Sequence, residues 1–334
     1  MAEVTETSCS VERPPKTIPT RSFAIASRIA ARPALSLTHA RARSYPARVP
    51  VTGIDTCASD DARAKEARLL TRLAACESVI VAYSGGVDSA YLAWAAHRAL
   101  GPRALAVTAV SPSYPRSHRE VADRVARQVG FAHEWIDSRE HERSEYARNA
   151  PDRCYHCKTE LFELLDALRA ERRFGAVAYG INRDDTGDFR PGHRAADEHR
   201  VLSPLLDAGL GKLEIRALSA AAGLETAELP ASACLSSRVP YGMEVTPEKL
   251  AQIDRAEDAL RELGYRQLRV RHHGDLARVE LAREEMPRAL APDALRAISR
   301  ALHDAGFRWV ALDVDGYRTG SANEVLQIAP PPAR

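Results

Sequence analysis

A glycine-rich hexapeptide has the residue types and spacing that phosphate chemistry requires. It follows a short apolar run, Val79 to Tyr83, and precedes a long apolar-rich stretch. Such a strand-to-helix turn presents unpaired backbone N–H groups and the positive end of a helix, and both attract phosphate oxygens. The carboxylate of Asp88 can hold Mg²⁺ beside a phosphate. The predicted phosphate-binding residues are Ser84, Gly85, Gly86, Val87, Asp88 and Ser89.

Three cysteines form a second candidate centre. Cys154 and Cys157 are separated by two residues, a spacing that lets two thiolates reach one metal ion or cluster. Together with Cys234 they can hold three irons of a [4Fe–4S] cube and leave the fourth iron open for a sulfide. The alternatives are zinc held by the cysteines and His156, a redox pair, or small buried side chains without chemistry.

Basic residues near the C-terminus predict a binding site for a nucleotide phosphate. Arg269 and Arg271 alternate along a predicted strand and therefore point the same way. Ser237 and Arg238 follow Cys234 closely and can join them, and Glu257 on the preceding predicted helix can orient the arginines. The alternative interpretation is a solvated strand face.

A second acidic turn, Gly180 to Asp185, follows the carboxyl end of a predicted strand, where open α/β sheets bind their ligands. Asp185, or its neighbour Asp184, is therefore a candidate for binding Mg²⁺ or substrate. Ordinary turn chemistry explains the same residues equally well. His272 and His273 receive no catalytic role.

Strands and helices alternate from about residue 60 onward and position these residues. The apolar runs at 104–110, 131–136 and 176–179 predict strands, and helical spacing separates them. This alternation predicts an α/β fold with a doubly wound parallel sheet. After residue 229 the sequence pattern changes to a loop, a charged helix over 247–263 and three further strand-like segments. This pattern predicts a smaller C-terminal α+β domain.

Composition limits the classes of protein to which the chain can belong. The chain has 334 residues, of which 45% are hydrophobic and 28% charged, and it contains no apolar run long enough to span a membrane. Residues 13 to 50 carry eight basic residues and no acidic one, so the rest of the +2 chain has a net charge of −6. A mildly acidic body argues against nucleic acid as partner. We expect a cytoplasmic protein.

The N-terminal stretch resembles an organellar transit segment in composition, although a disordered or misassigned start is the favoured interpretation. The predicted organisation is an extension over 1–59, a phosphate-binding domain over 60–229, a substrate and sulfur-transfer domain over 230–328, and a disordered tail over 329–334.

The hexapeptide is neither a Walker A motif nor a dinucleotide-binding GxGxxG. It resembles the PP-loop of ATP pyrophosphatases, a superfamily that cleaves ATP between the α- and β-phosphates and attaches AMP to a substrate oxygen. Further segments over 153–158, 180–192, 230–242, 269–280 and 316–323 resemble LarE-type sulfur transferases. The similarity covers roughly residues 60 to 326 and is more specific than the PP-loop alone.

The LarE resemblance implies a function. ATP would adenylate a carboxylate of pyridinium-3,5-biscarboxylic acid mononucleotide, and sulfur would then displace AMP to give a thiocarboxylate for a nickel-pincer cofactor. Some members sacrifice the sulfur of one cysteine, whereas those with an added CxxC are thought to use a cluster. With Cys154, Cys157 and Cys234, this chain resembles the cluster-bearing group. The expected partners are the mononucleotide, a sulfide source and further copies of the chain.

Three rival functions remain at this stage: a PP-loop tRNA thiolase, an ammonia-dependent amide-forming PP-loop synthetase, and an iron–sulfur or zinc scaffold protein. One departure from the family lies between residues 224 and 230, where members typically carry Pro, Trp and Lys. This chain has Glu225, Ala227 and Leu229 instead, so we expect a differently shaped lead-in to the Cys234 loop.

Overall fold

The computed structural model describes residues 58–187, 191–230, 233–318 and 320–326. The predicted extension lies outside these ranges except for its last two residues, and the predicted tail lies outside them entirely. None of the helices in the described part of the chain combines the length and apolar character that crossing a bilayer requires.

The N-terminal half contains a parallel sheet with the strand order β3-β2-β1-β4. Each strand pairs with its neighbour in parallel register, and β1 occupies an interior position between β2 and β4. The order reverses direction at β1, and this reversal creates the crevice where ligands of doubly wound folds bind. The strands are β1 (Val79–Ala82), β2 (Ala104–Val110), β3 (Ala132–Asp137) and β4 (Ala176–Tyr179).

Helices cover both faces of this sheet, as continuous apolar strands require. Alternate residues of β1 enter different cores: Val79 and Val81 pack on one face, and Ile80 and Ala82 on the other. The predicted doubly wound α/β fold is therefore confirmed. The helices of this half are α1 (Asp60–Ala74), α2 (Val87–Leu100), α3 (Arg116–Val129), α4 (Ser144–Ala147), α5 (Arg153–Arg172), α6 (Gly192–Glu198), α7 (Pro204–Asp207) and α8 (Lys212–Ala221).

A second, three-stranded sheet has the order β5-β6-β7 and its own hydrophobic core. Strands β5 and β6 form an antiparallel hairpin, while β7 pairs with β6 in parallel. The proposed domain boundary at residues 229 and 230 lies between the two sheets in the sequence. The elements are α9 (Pro247–Glu262), β5 (Leu268–His273), β6 (Leu276–Leu281), α10 (Met286–Ala289), α11 (Pro292–Asp304) and β7 (Trp309–Leu312).

Most elements lie within two residues of their sequence predictions, with one informative exception. Helical spacing predicts a helix from residue 159, but α5 begins at Arg153 and includes both cysteines of the CxxC unit. The polar first turn, Arg-Cys-Tyr-His-Cys-Lys, lacks the apolar repeat by which periodicity detects a helix. This extra turn places Cys154 and Cys157 on the first turns of a helix, not in a loop.

Candidate functional site

The glycine loop, residues Ser84–Ser89, lies at the carboxyl end of β1 and leads into α2. Gly85 has a φ of +75°, and a Cβ atom there would lie 3.2 Å from Cβ of Ala122. Glycine is therefore favoured both by the backbone conformation and by the close approach of α3. The loop is further held by the hydroxyl of Ser89, which accepts a hydrogen bond from Ser84 N at 3.1 Å and donates one to Gly86 O.

Asp88 is the acidic group of the glycine loop. Its Oδ2 accepts a hydrogen bond from Nζ of Lys212 at 2.5 Å, while its Oδ1 is buried without a partner among the described residues. Burial raises the pKa of Asp88, and Lys212 partly opposes the rise. An orphaned carboxylate oxygen fits a hard cation such as Mg²⁺, which prefers oxygen ligands.

The acidic turn after β4 lies beside the glycine loop. Gly180 packs so closely that an added Cβ would lie 3.0 Å from Ser89 N. Asp185 Oδ2 accepts a hydrogen bond from Asn182 N at 3.1 Å, and its charge contributes to the raised pKa of Asp88. Asp184 instead accepts from Lys212 N at 2.7 Å and so fixes the start of α8. Thus Asp185 lies in the electrostatic environment of Asp88.

The arginine cluster is defined by Arg238, Arg269 and Arg271 with the carboxylates Glu257 and Glu280. Arg238 donates to both oxygens of Glu257 at 2.8 and 2.9 Å, and Arg271 donates to both oxygens of Glu280 at the same two distances. Such fork-to-fork pairs fix the guanidinium planes. All five side chains are buried, so the cluster is a rigid core feature.

Two arginines of the cluster bind the backbone of the loop that carries Cys234 and Ser237. Arg271 donates to Ser237 O at 2.8 Å, and Arg238 donates to Cys234 O at 2.9 Å. The hydroxyl of Ser237 also donates to Cys234 O. Glu257 accepts from Val270 N, which joins α9 to β5. The structure therefore brings the five predicted substrate residues of this half together, and their ligand stays a prediction.

Arg269 lies within the electrostatic reach of two other buried arginines. Burial lowers its pKa to about 10, and the charges of Arg238 and Arg271 act in the same direction. Burial alone would raise the pKa of Glu257, but Arg238, Arg261 and Arg269 outweigh it and lower that pKa to about 2. A bound anion would relieve the repulsion among the arginines.

Cys154 and Cys157 lie on the first turns of α5, and Cys234 lies within their electrostatic reach. Cys154 is exposed, whereas Cys157 and Cys234 are half-buried. Burial raises the pKa of Cys157, with smaller contributions from Glu140, Cys234 and Cys154, so the three thiols share one electrostatic neighbourhood. Within the described ranges, no three His, Cys, Asp or Glu side chains are grouped to hold a single metal ion. Thiol donors nevertheless suit an iron–sulfur cluster, whose ligand set stays a prediction.

A short segment after β2 connects the glycine loop with the Cys234 loop. Tyr114 donates its hydroxyl proton to Ser84 O at 3.0 Å, and the adjacent Ser113 accepts from Leu235 N at 2.9 Å through its carbonyl. Buried Glu140 accepts hydrogen bonds from Ser113 and two other serines, Ser111 and Ser138, and fixes this segment. Two consecutive residues thus contact both loops: Tyr114 contacts the glycine loop and Ser113 contacts the Cys234 loop.

Sequence reasoning assigned no role to Lys212, Tyr114 or Arg153. Lys212 begins α8 beside a glycine, which is a weak local signal, and its contact with Asp88 spans 124 positions of sequence. Tyr114 lies in an irregular segment without a motif.

The segment between residues 224 and 230, which departs from the family pattern and leads into the Cys234 loop, is held by Arg216. This side chain donates to Ala227 O at 2.5 Å and to Leu229 O at 2.7 Å. Because these acceptors are backbone carbonyls, the side-chain changes leave the contacts possible.

The fold and the glycine loop define a doubly wound α/β protein with a PP-loop-like turn at the switch point of its sheet. No protein-family model matches the chain. An uncharacterized protein of Synechocystis is 42% identical over 250 residues, covering 75% of this chain and 93% of that protein. An uncharacterized protein of Methanocaldococcus jannaschii is 27% identical over 243 residues, 73% and 92% of the respective chains.

A curated relative identifies the family. The pyridinium-3,5-bisthiocarboxylic acid mononucleotide synthase of Lactiplantibacillus plantarum is 34% identical over 266 residues, which cover 78% of this chain and 95% of that enzyme. The chain belongs to the family of LarE-type sulfur transferases. The predicted family resemblance is therefore confirmed.

Proposed function

We propose that the protein uses ATP to adenylate a carboxylate of pyridinium-3,5-biscarboxylic acid mononucleotide and then exchanges AMP for sulfur. The product is a thiocarboxylate, and two rounds give the bisthio ligand of a nickel-pincer cofactor. The observation that carries the proposal is the pair of contacts from adjacent residues, Tyr114 to Ser84 and Ser113 to Leu235. They connect the glycine loop to the loop that carries Cys234.

Adenylation is assigned to the glycine loop and its acidic neighbours. The loop N–H groups and the start of α2 bind the ATP phosphates. Asp88, with Asp185 nearby, would hold Mg²⁺, which when bound neutralises charge on the departing pyrophosphate. Lys212 pairs with Oδ2 of Asp88 and is placed to exchange that contact for a pyrophosphate oxygen.

Substrate binding is assigned to the arginine cluster. Arg269 and Arg271 are assigned to the phosphate of the mononucleotide, because they alternate along β5 and Arg271 contacts the carbonyl of Ser237 on the Cys234 loop. Arg238 is only 1% exposed and is occupied by Glu257, so it acts as a positioning residue. Through the carbonyl of Cys234 it also fixes the backbone of the sulfur-bearing loop.

Sulfur transfer is assigned to Cys234 with Cys154 and Cys157. The sulfur nucleophile attacks the activated acyl carbon, a C–S bond forms, the C–O bond breaks, and AMP leaves with the electron pair. The three thiols would hold a [4Fe–4S] cluster, which when bound supplies an open iron for an extra sulfide. The sacrificial alternative uses the sulfur of Cys234 itself.

The test is turnover of the full-length chain, prepared without oxygen, with ATP and the pyridinium mononucleotide. We expect AMP, pyrophosphate and a product with sulfur in place of carboxylate oxygen, measured by mass spectrometry. A mass loss of roughly 34 Da at Cys234, one H₂S, identifies the sacrificial route. Protein that is brown as isolated and colourless as the Cys154→Ala variant identifies the cluster route. AMP formation with tRNA or ammonia but not with the mononucleotide would replace the proposal by a rival.

A further inference from the structure

Asn149 has a backbone conformation that residues other than glycine rarely adopt. Its φ is +56°, and the residue is completely buried. It lies between α4 and α5, shortly before Cys154. A side chain in the left-handed region costs free energy and persists only where the surrounding structure fixes it. The contacts of Asn149 must therefore explain its conformation.

Asn149 binds the Cys234 loop, which continues as far as the start of α9, through its backbone and its side chain. The backbone carbonyl accepts a hydrogen bond from Gly242 N at 3.1 Å. The side-chain nitrogen Nδ2 donates to three backbone carbonyls of the loop at 3.2, 2.8 and 3.0 Å, those of Val239, Pro240 and Met243. A buried amide with this many partners fixes the loop, because leaving the same groups unpaired would be costly.

The residues around Asn149 join the same loop to α5. The Oδ1 atom of Asn149 accepts a hydrogen bond from Arg153, the first residue of α5. Arg153 in turn donates to Ser236 O at 2.9 Å. The hydroxyl of Tyr146 lies 2.5 Å from the hydroxyl of Ser236. Residues 146–153 therefore form a joint between the Cys234 loop and the helix that carries the CxxC unit.

Packing relates this joint to the sulfur residues. Tyr146 and Leu235 belong to one buried apolar cluster, and Cys157 packs against that cluster. Leu235 directly follows Cys234 in the sequence. The joint therefore helps to fix where Cys234 lies relative to α5. None of the hydrogen bonds that Asn149 makes within the described residues reaches the glycine loop.

We propose, on the basis of the proposed function, that Asn149 is a positioning residue for the sulfur-transfer step. By holding residues 239–243 from the side of α5, it keeps the Cys234 loop in the place relative to Cys154 and Cys157 that transfer requires. In that step the C–S bond forms and the C–O bond to AMP breaks, and Asn149 takes no part in either bond. Loss of its side chain should slow transfer and leave adenylation unchanged.

The first measurement is amide hydrogen exchange of the full-length chain without ATP or substrate. Asn149→Gly keeps the left-handed backbone accessible and removes only the side-chain hydrogen bonds. We expect exchange over residues 235–245 to become roughly tenfold faster, and exchange over residues 84–89 to change less than about twofold. Arg173→Gly, at an exposed left-handed residue at the far end of α5, is the matched control and should change neither segment.

The second measurement separates the two steps of the proposed reaction. Exchange of labelled pyrophosphate into ATP in the presence of the mononucleotide measures adenylation, and the thiocarboxylate formed in a single turnover measures transfer. In Asn149→Gly we expect pyrophosphate exchange within about twofold of wild type and transfer slowed roughly tenfold to a hundredfold. Asn149→Asp keeps the acceptor for Arg153 but replaces the donor by an oxygen that faces three carbonyls, so it should show the same selective loss.

Unchanged hydrogen exchange over residues 235–245 in Asn149→Gly overturns the proposal. An equal loss of both steps also overturns it, because general destabilisation produces that result. Wild-type transfer in Asn149→Asp overturns it as well, since it excludes the donated hydrogen bonds as the cause.

Tyr146→Phe carries the same test if Asn149→Gly fails to fold. It removes one hydrogen bond to Ser236 and keeps the buried ring, so it should show a smaller loss that is again confined to transfer. Equal loss of both steps, or no loss at all, in Tyr146→Phe then overturns the proposal. Wild-type protein without pyrophosphate exchange overturns the proposed function, and the inference with it, and this is seen before any variant is compared.

Discussion

The glycine loop and the arginine cluster are both proposed to bind an anion, but they are built from different parts of the chain. The loop is one stretch of six consecutive residues whose backbone carries the proposed site, with one glycine at a φ of +75°. The arginine cluster uses side chains from three separate segments, which buried Glu257 and Glu280 hold in place. A backbone site depends on local conformation, whereas a side-chain site depends on its partners elsewhere in the sequence.

The largest effect is expected at Asp88, where the backbone site depends on one side chain. Asp88→Ala removes the buried oxygen assigned to Mg²⁺ and should lower the rate of AMP formation about 10³-fold, with the fold retained. The rate of pyrophosphate release and the circular dichroism spectrum measure the two effects. Normal turnover of Asp88→Ala would contradict its assigned role.

The second-largest effect is expected at Glu257, which holds Arg238 in the arginine cluster. Glu257→Gln leaves buried Arg238 without its charge partner and should lower the free energy of unfolding by about 3 kcal/mol. Denaturant unfolding measures the loss. A double variant, Arg238→Met with Glu257→Met, removes both charges and should recover part of the stability. A double variant less stable than the single one would refute this account.

The pH dependence of stability follows from the same carboxylate. The pKa of Glu257 is lowered to about 2 in the folded state, from about 4.3 in the unfolded chain. Its contribution is therefore complete above pH 4.3 and is lost as the pH falls towards 2. The free energy of unfolding, measured at a series of pH values, should fall at acid pH in the wild type and should fall less in Glu257→Gln. Parallel curves for the two proteins would exclude Glu257 as its source.

A smaller effect is expected at Lys212, which connects the glycine loop to α8, a helix far away in the sequence. Lys212→Met should weaken the binding of ATP and pyrophosphate about tenfold, because one charge-assisted hydrogen bond to a phosphate is lost. Binding of AMP should be unchanged. Calorimetric titration with the three ligands makes the comparison, and Lys249→Met, on α9, is the control. Equal weakening for AMP would place Lys212 away from the pyrophosphate.

The smallest effect is expected at Gly85, and it isolates the backbone contribution. Gly85→Ala and Gly130→Ala both place a side chain at positive φ, but only the Cβ at residue 85 meets a neighbour within 4 Å. Each should lose about 1 kcal/mol of stability from the backbone conformation. Gly85→Ala should lose more and should also raise the KM for ATP. Identical stability and KM in the two variants would show that the approach of Ala122 is unimportant.

The alternation of strands and helices was predictable because apolar periodicity is a local property. Strands β2 and β4 have the predicted bounds, and the glycine loop lies at the predicted strand-to-helix junction. Periodicity failed at the first turn of α5, where polar residues begin a helix that tertiary contacts stabilise. Arg153 illustrates this, since its partner Ser236 lies 83 residues away.

By itself, the sequence determined the α/β fold, the glycine-rich turn between β1 and α2, and the LarE family, because each is encoded in contiguous residues or in a regular repeat. Only the tertiary structure decided which charges are paired. Arg238 and Arg271 each pair with a glutamate, and Asp88 pairs with Lys212. Among the described residues, the hydrogen-bond partners of Arg153 are neutral. The physical reason is that the free energy of a buried charge depends on neighbours in space, and the chain brings those neighbours from distant positions.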